Sequence, residues 1–485
     1  MTNNQPQLIT YIDRLAGDLS GLQSVLTDEM AGAFGGVHLL PFFDPIDGAD
    51  AGFDPSDHTT VDPRLGDWAD VKALGQTFPI MADLIVNHVS SASPEFKDWQ
   101  GRGALSPYAS MFLTKDRVFA EDAADLDIQR VFRPRTTPLF TNYDIAGQPT
   151  EVWTTFTSDQ IDLDVTSEAA WAHLLSVLDR FAEVGVDLVR LDAVGYAIKK
   201  PGTSCFMIPE TFAFIERITS EARKRGLDVL VEIRSHHRFQ MEVAAKVDRV
   251  YDFALPMLVL HALHNGDAAP LADWLRIAPR NCVTVLDTHD GLGVVDVAPD
   301  GDSPGLLSSQ AVDSLVDTIH QASQDRSREA TAVVESNLDL YQVNCTYYEA
   351  LGSDDDAYFI ARLVQLLCPG TPQVYYAGLL AAPNDMALLA QTQVGRDINR
   401  PYYDSDKLAA ALERSVVRQL VALLQWRTAN HEVFGGEFEL LDSTGTELAL
   451  RWTGEGQRLE ARIDFAELSF TVDLNGTRIT SPQDF

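Results

Sequence analysis

The sequence has few cysteines and few basic residues. Its 485 residues include four cysteines, which lie far apart and form no CxxC pair: Cys205, Cys282, Cys345 and Cys368. This pattern predicts reduced, mostly buried thiols of a cytosolic protein and not a disulfide framework. Lysine and arginine number 37 against 71 acidic residues, so the net charge is −34. Such an excess of negative charge argues against nucleic acid or an anionic membrane surface as a partner.

Three kinds of segment are also missing from the sequence. No apolar run approaches the roughly 20 residues of a membrane-spanning helix, so no membrane partner is expected. No Gly-rich P-loop is present, so no nucleotide is expected. The first residues, Met1 to Gln7, lack the basic and apolar regions of a secretory signal. We therefore expect a cytoplasmic protein, and its acidic surface is typical of salt adaptation.

What the sequence does contain is a repeated alternation of strand-like and helix-like segments. Its hydrophobic content of 45% is ordinary for a globular protein, and its length predicts one large domain with smaller ones. Eight apolar runs alternate with helical patterns, which predicts an α/β fold, a closed (β/α)8 TIM barrel whose active site lies at the carboxyl ends of the strands. The predicted strands are 8–12, 36–43, 79–88, 187–194, 228–235, 249–256, 283–290 and 372–377.

Two connections between these strands are too long to be simple loops. The first, 89–166, is predicted to form an inserted lid domain over the barrel mouth, and the second, 291–344, an insertion after the seventh strand. From 432 to 485, short alternating strands separated by turn residues predict a C-terminal antiparallel β domain. The barrel domain is then expected to comprise 1–88, 167–290 and 345–431.

Polar residues collect at the ends of the predicted strands, and Asp192 is the most informative of them. Arg190 lies two residues before it, so in an extended strand both side chains point to one side. The guanidinium then holds the carboxylate ionised, which suits a nucleophile. The alternative is a structural ion pair at the end of a strand, because perturbed carboxylates mark functional sites only some of the time.

Three acids stand at the ends of different predicted strands: Asp192, Glu232 and Asp290. Two carboxylates cleave a glycosidic bond with retention when they stand about 5–5.5 Å apart, one as nucleophile and one as acid and base. Glu232 lies among Val, Leu and Ile, and an apolar setting raises a carboxyl pKa as an acid catalyst requires. Asp290 would stabilise positive charge on the sugar. For any one of them the alternative is a buried, hydrogen-bonded carboxylate.

Several segments carry a resemblance to a known family. Four of them, in order, resemble the signature segments of the alpha-amylase superfamily: 83–88, 187–194, 231–232 and 288–290. Five more look like the sucrose phosphorylase branch of that superfamily: 49–55, 202–207, 246–256, 337–344 and 395–400.

This resemblance implies a barrel with a lid and a C-terminal β domain, Asp192 as nucleophile, Glu232 as acid and base, and Asp290 as transition-state stabiliser. It also implies a closed glucose pocket. The substrate-binding residues of that pocket would be Asp50, Phe53, His88, Phe156, Arg190, Tyr196, His289 and Arg396. Each assignment has a structural alternative. His88 and His289 could be core histidines, and Phe156 could belong to the core of the lid. Arg396 could form a surface ion pair, and the arginines at 133 and 135 could be solvated loop residues.

The part of the site that binds the acceptor decides whether phosphate or water receives the glucosyl group, and hence whether the reaction is phosphorolysis or hydrolysis. Phosphate is bound best by a fork of charged donors. The candidates on this acceptor side are Arg135, Arg234, Asp339, Tyr341 and Gln342. Here the sequence departs from the pattern of the branch: Arg234 replaces an expected histidine, Phe132 a tyrosine, and Thr136-Thr137 a Pro-Gly pair. Because Arg234 adds bulk and charge, we expect the small polyol glycerol to fit better than fructose.

We therefore predict a retaining α-glucoside phosphorylase, a hexosyltransferase that reversibly passes glucose from 2-O-α-glucosylglycerol to inorganic phosphate and gives α-glucose 1-phosphate. Sucrose phosphorylase is the alternative. Glucosylglycerate phosphorylase, sucrose-phosphate phosphorylase and an α-glucoside hydrolase or transglucosylase rank lower, and the three acids argue against a sugar-binding protein without activity. No cofactor or metal is expected, since Asn87 and the acidic stretch 121–127 form no recognisable calcium loop. Homodimers occur in the branch, so a homodimer is one expected state.

Overall fold

A closed barrel of eight parallel strands forms the centre of the molecule and confirms the predicted fold class. The computed structural model describes residues 4–48, 50–119, 124–133, 135, 137–332, 341–442 and 445–485. The barrel closes because its first strand pairs with both the second and the eighth. The strands are β1 (Gln7–Thr10), β2 (Val37–Leu39), β3 (Ile80–Ile85), β4 (Leu188–Asp192), β5 (Asp228–Val231), β6 (Arg249–Asp252), β7 (Cys282–Thr284) and β8 (Thr371–Tyr375).

The strands are apolar because both of their faces are covered, one by the barrel interior and one by helices. All six residues of β3 are buried, and in β4 the chain is buried up to Asp192. All eight strands end earlier than predicted. β5 ends just before Glu232 and β7 ends at Thr284. In the segment that follows β7, Asp287 pairs with the buried Arg362 at 2.7 Å.

Helices cover the outside of the barrel. The helix Glu168–Val184 illustrates how the sequence forms such a helix. Ser167 caps its first turn by accepting from Ala170 N–H, and Gly185 ends it at φ +85°. Its apolar residues recur at helical spacing and form the buried face. No helix in the described ranges is both long and apolar enough to cross a membrane. The helices are Ile12–Leu15, Leu19–Ser24, Trp68–Gly75, Glu168–Val184, Pro209–Lys224, His237–Ala244, Leu255–Asn265, Ala269–Ile277, Ser309–Ala322, Arg326–Ala332, Tyr347–Ala350, Asp355–Leu367, Tyr376–Leu379, Met386–Thr392, Ser405–Leu412 and Ser415–Ala429, with single-turn or π segments at Val25–Glu29, Val194–Tyr196, Gly395–Asn399 and His431–Gly435.

The chain between β3 and β4 forms the lid over the barrel mouth. It contains two antiparallel strand pairs, His88–Ser90 with Gln160–Asp162 and Phe140–Ile145 with Gln148–Trp153. Its helical segments are Pro94–Arg102, Gly103–Leu105, Lys115–Val118 and Ala124–Arg130. Two further short pairs flank the mouth, Phe43–Asp44 with Asp57–Val61 and Leu292–Gly293 with Gln342–Val343.

The C-terminal part is an antiparallel sheet of five strands, whereas the sequence predicts four, at 437–441, 447–452, 458–463 and 468–472. The additional strand is the short Thr477–Ile479 at the sheet edge. The other four are Glu437–Leu440, Glu447–Gly454, Gln457–Asp464 and Ser469–Leu474, and a last helical turn, Pro482–Asp484, ends the chain. The residue boundaries of the domains stay predictions.

Replacing Arg362 should destabilise the barrel. Its guanidinium contacts both oxygens of Asp287 at 2.7 and 2.8 Å, and both side chains are almost fully buried. We expect Arg362→Leu to cost about 3–5 kcal/mol, because it leaves a buried carboxylate without its partner. Arg418→Leu is the control, since the Arg418–Glu413 pair is exposed and worth less than about 1 kcal/mol. Thermal unfolding measures both; equal melting temperatures for the two variants would contradict a structural role of the buried pair.

Candidate active site

A cavity opens at the carboxyl ends of the barrel strands, under the lid. The space between its lining residues, open solvent included, is about 580 Å³. Among the predicted residues, Arg190 lies behind this cavity and Asp339 lies outside the described residues. The predicted residues that line it are Asp50, Phe53, His88, Arg135, Phe156, Asp192, Tyr196, Glu232, Arg234, His289, Asp290, Tyr341, Gln342 and Arg396.

Asp192 and Glu232 stand at the ends of neighbouring strands. Leu191 of β4 lies opposite Val231 of β5, so the two acids are the next residues in register. The backbone N–H of Glu232 donates to Leu191 O at 3.3 Å, which holds the two strand ends together. Since neighbouring strands lie about 4.8 Å apart, this register suits the short carboxylate separation of retaining chemistry.

The nucleophile candidate is held by a buried network. Arg190 Nη1 donates to Asp192 Oδ1 at 2.9 Å and to Asp83 Oδ1 at 2.5 Å. The other oxygen of Asp83 contacts His38 Nε2 at 2.9 Å. Arg190 and Asp83 are direct neighbours on β4 and β3, so the network ties two strands at the floor of the cavity. The predicted alignment of Arg190 with Asp192 along one side of the strand is therefore present.

The two acids compete for one proton. Burial raises the pKa of Asp192 well above its usual value, against the opposing effect of Arg190. Burial likewise raises the pKa of Glu232, again opposed by Arg190. Because the guanidinium donates a hydrogen bond directly to Asp192, the shared proton resides on Glu232. Asp192 is then an ionised carboxylate, and Glu232 beside it is a neutral carboxylic acid.

Asp290 has the opposite electrostatic setting. Burial disfavours its ionised form, but the guanidinium groups of Arg396, Arg234 and Arg400 outweigh burial and hold its pKa well below the usual range. Arg396 Nη1 lies 3.0 Å from Asp290 and 3.0 Å from Asp50, and Arg400 Nη2 lies 3.4 Å from Asp50. Both acids are therefore permanent carboxylates in this wall, able to accept from sugar hydroxyl groups.

Aromatic rings form the apolar surfaces of the cavity. Phe53 stacks on His289 with ring centroids 4.7 Å apart, and Phe156 meets His88 and Tyr196 edge to face at 5.4 and 5.2 Å. His88 Nε2 donates to Phe53 O at 2.9 Å. Burial lowers the pKa of His289 to about 3 and also lowers that of His88, so both imidazoles are neutral. Flat apolar faces and neutral polar edges suit a sugar ring.

The predicted acceptor residues meet on the other side of the cavity. Arg135 lies over the Phe156 ring at 5.7 Å, and Arg234, which follows Glu232 by two residues, is 8% exposed. Gln342 and the preceding Tyr341 are brought there by the short strand pair formed with the segment after β7. Burial raises the pKa of Tyr341, so its hydroxyl stays protonated as a donor.

The site considered for calcium holds a lysine. Lys199 Nζ lies 2.5 Å from Asn87 Oδ1 and 2.5 Å from Asp162 Oδ2, and donates to Tyr196 O at 2.6 Å. An ammonium group thus occupies the position between Asn87 and the lid. Of the acidic stretch 121–127, residues 121–123 lie outside the described part, and within that part no cluster of three or more metal-ligating side chains occurs.

Two cavity residues carried no signal in the sequence. Gln160, from the lid strand paired with His88, lies 3.0 Å from His88 Nε2. Ala193 adopts φ +52°, and its backbone N–H donates to the Glu232 carboxyl group. Neither an ordinary glutamine nor an alanine with a left-handed backbone can be recognised from a local pattern, because both depend on contacts across elements.

Comparison with known proteins places the chain in a family. Residues 3–259 match the family described as "Alpha amylase, catalytic domain". A protein named sucrose phosphorylase from Agrobacterium vitis is 53% identical over 98% of this chain and 97% of its own. A glucosylglycerol phosphorylase from Marinobacter adhaerens is 38% identical over 93% and 92%. The crystal structure of sucrose 6F-phosphate phosphorylase from Thermoanaerobacter thermosaccharolyticum superposes with a TM-score of 0.90, 37% identity and coverage of 99% and 98%. The chain belongs to the alpha-amylase family, in its sucrose phosphorylase-like branch of glycoside phosphorylases.

Proposed function

We propose that this enzyme is a sucrose phosphorylase, which converts sucrose and phosphate into fructose and α-glucose 1-phosphate with retention. The observation that carries the proposal is the register of β4 and β5, which sets Asp192 and Glu232 side by side in a cavity that also contains the acceptor-side arginines. The 53% identity to a sucrose phosphorylase supports fructose as the leaving group.

The reaction would begin at Asp192. Its Oδ1 accepts from Arg190, so Oδ2 is the oxygen that attacks the anomeric carbon. Glu232 protonates the departing fructose oxygen as the glucosidic bond breaks, and a glucosyl ester forms on Asp192. Asp290 stabilises the positive charge that develops on the sugar ring. Glu232, now ionised, then accepts the proton of the incoming phosphate, whose oxygen displaces the ester carboxylate.

The remaining cavity residues would bind the glucosyl unit. Asp50 and Arg396 form one polar wall, and Phe53 and Phe156 provide apolar faces. His88, His289 and Tyr196 contribute polar edges between these faces. Arg190 is 2% exposed and lies outside the cavity lining, so in this proposal it would support Asp192 from behind and would not contact the sugar.

The expectation of glycerol as the aglycone is less well supported than sucrose. The glucosylglycerol phosphorylase is 38% identical, against 53% for the sucrose phosphorylase. Arg234 is the observation that keeps 2-O-α-glucosylglycerol as a second candidate, since its guanidinium narrows the side where fructose would sit. Inorganic phosphate and a small α-glucoside are thus the proposed partners, and a homodimer stays a prediction.

Phosphorolysis of sucrose and of 2-O-α-glucosylglycerol, measured side by side at equal enzyme, tests the proposal. We expect kcat/KM for sucrose to be higher by about tenfold or more, because a site built for the hydroxyl groups of fructose loses several of them with glycerol. α-Glucose 1-phosphate is the measured product. A preference for glucosylglycerol would establish the second candidate, and glucose release that ignores phosphate would indicate a hydrolase.

Substitution of the two acids should separate their roles. Glu232→Gln is expected to lower kcat on sucrose by about 10²- to 10⁴-fold, the usual contribution of general acid catalysis. The same variant should retain more of its rate of fluoride release from α-glucosyl fluoride, whose leaving group needs no proton. Asp192→Asn should lose activity on both substrates, because neither can form the ester. Equal losses for Glu232→Gln on both substrates would contradict its assignment as the acid.

The pH dependence should follow the shared proton. Since burial raises the pKa of Glu232 above its usual 4.5, the acid stays protonated at higher pH than a free glutamate, and activity is lost as pH rises through the shifted value. We expect kcat/KM for sucrose to fall on the alkaline side. With α-glucosyl fluoride as substrate, Glu232→Gln should lack this alkaline limb. An unchanged limb in the variant would assign it to another group.

A further inference from the structure

Arg234 is held at the cavity wall by contacts that leave part of its donor capacity unused. Its guanidinium lies flat over the Phe253 ring at 3.6 Å from the centroid, and Nη2 donates to Thr288 Oγ1 at 3.3 Å. Nη1 lies 3.6 Å from Asp296 Oδ2. The buried Nε has no hydrogen-bond partner among the described residues. A stacked, nearly buried guanidinium with unused donor capacity at a cavity wall suits an anionic ligand.

The space that Arg234 occupies exists because residue 293 is a glycine. A Cβ built there would overlap Asp296 Oδ2 and lie 2.6 Å from Arg234 Nη1, too close for any real contact. Gly293 belongs to the short strand that pairs with Gln342, so this segment also positions the Tyr341–Gln342 edge of the cavity. The glycine therefore admits the Arg234–Asp296 pair without moving the neighbouring strand.

Asp296 is 1% exposed, and its Oδ2 has no hydrogen-bond partner in the described part of the chain. Burial raises its pKa to about 8, against the opposing effects of Arg234 and of the Ser235 backbone N–H; Glu232 raises it further. Of the described residues, Tyr341 is a further titratable group that faces it. Near neutral pH Asp296 is therefore mostly protonated. Its carboxyl group lies beside the Arg234 guanidinium without cancelling its charge.

We propose that Gly293 and Asp296 are positioning residues that aim the guanidinium of Arg234 at the phosphate in the acceptor half of the cavity. The inference rests on the proposed phosphorolysis. Arg234 binds phosphate oxygens while one of them forms a bond to the anomeric carbon. The ester bond to Asp192 breaks with its electron pair returning to the carboxylate, and the phosphate proton passes to Glu232. Water needs no such cation, so the pair favours phosphate over hydrolysis.

Gly293→Ala tests the geometric part. The added methyl group displaces Arg234 and Asp296, so we expect the KM for phosphate to rise about ten- to hundredfold. Glucose release from α-glucosyl fluoride without phosphate should stay within about twofold, because this substrate has no fructose unit beside Arg234 and needs only the glucose side of the cavity. Gly101→Ala is the matched control, since a Cβ at Gly101 meets nothing within 4 Å. An unchanged KM for phosphate in correctly folded Gly293→Ala would overturn the proposal.

Asp296→Asn tests the same pair without changing its shape. In the wild type the KM for phosphate should rise between about pH 7 and about pH 9, as Asp296 ionises and compensates Arg234. Asp296→Asn should lack this rise, whereas Asp300→Asn should keep it, because Asp300 pairs with the exposed Arg238 at 2.7 Å. Identical pH profiles for wild type and Asp296→Asn would overturn the proposal. The comparison of these pH profiles tests the proposal even if Gly293→Ala fails to fold. Failure of the proposed function is a different result: the wild type would form no α-glucose 1-phosphate from sucrose.

Discussion

The buried guanidinium of Arg190, shared between Asp83 and Asp192, is the interaction on which the site depends. Burying an unpaired charge costs several kcal/mol, so none of these three groups is stable in the barrel floor without the others. Their mutual contacts cross from β3 to β4 and continue to His38 on β2. The nucleophile is thus fixed by the barrel itself. Because Oδ1 of Asp192 accepts from Arg190, Oδ2 is the oxygen that remains for the sugar. The other groups of the proposed reaction must be positioned relative to this oxygen.

From this fixed point the chemistry follows from strand spacing and local charge. Glu232 is one strand away in register, and burial raises its pKa; among the described residues it has no arginine ion pair like that of Asp192 with Arg190. Asp290 comes from beyond β7 and is ion-paired with Arg396, so cations dominate its pKa. Three carboxyl groups in one cavity therefore have three different settings: a carboxylate held by hydrogen bonds, a neutral acid, and a carboxylate held by ion pairs. Retaining transfer needs these three states.

The sequence could predict those features that depend on short stretches of neighbouring residues. Apolar runs followed by charged residues identified the barrel strands and placed Asp192, Glu232 and Asp290 at one end of the fold. It could not predict that Asp287, beyond the end of β7, is paired with Arg362, because that partner lies 75 residues further along the chain. The left-handed backbone of Ala193 has no local signature either. Nor could composition show that Gly293 makes room for an arginine that arrives from another strand. Local patterns thus identified three acids that line one cavity, and long-range packing determines how their side chains are oriented.

A protein with a net charge of −34 must still bind an anionic acceptor. At physiological salt, exposed charges are screened beyond about 8 Å, so surface acids act weakly on a phosphate inside the cavity. The electrostatic potential inside the cavity depends mainly on the charges of the nearby buried groups. Arg396 is compensated by Asp50 and Asp290, whereas the carboxyl group of Asp296 beside Arg234 is mostly neutral near pH 7. Positive charge therefore remains on the acceptor side, while the glucose side is balanced. An acidic surface is compatible with the proposed phosphate substrate, because the proposed contacts form within hydrogen-bonding distance of the anomeric carbon, where the overall field of the protein contributes little.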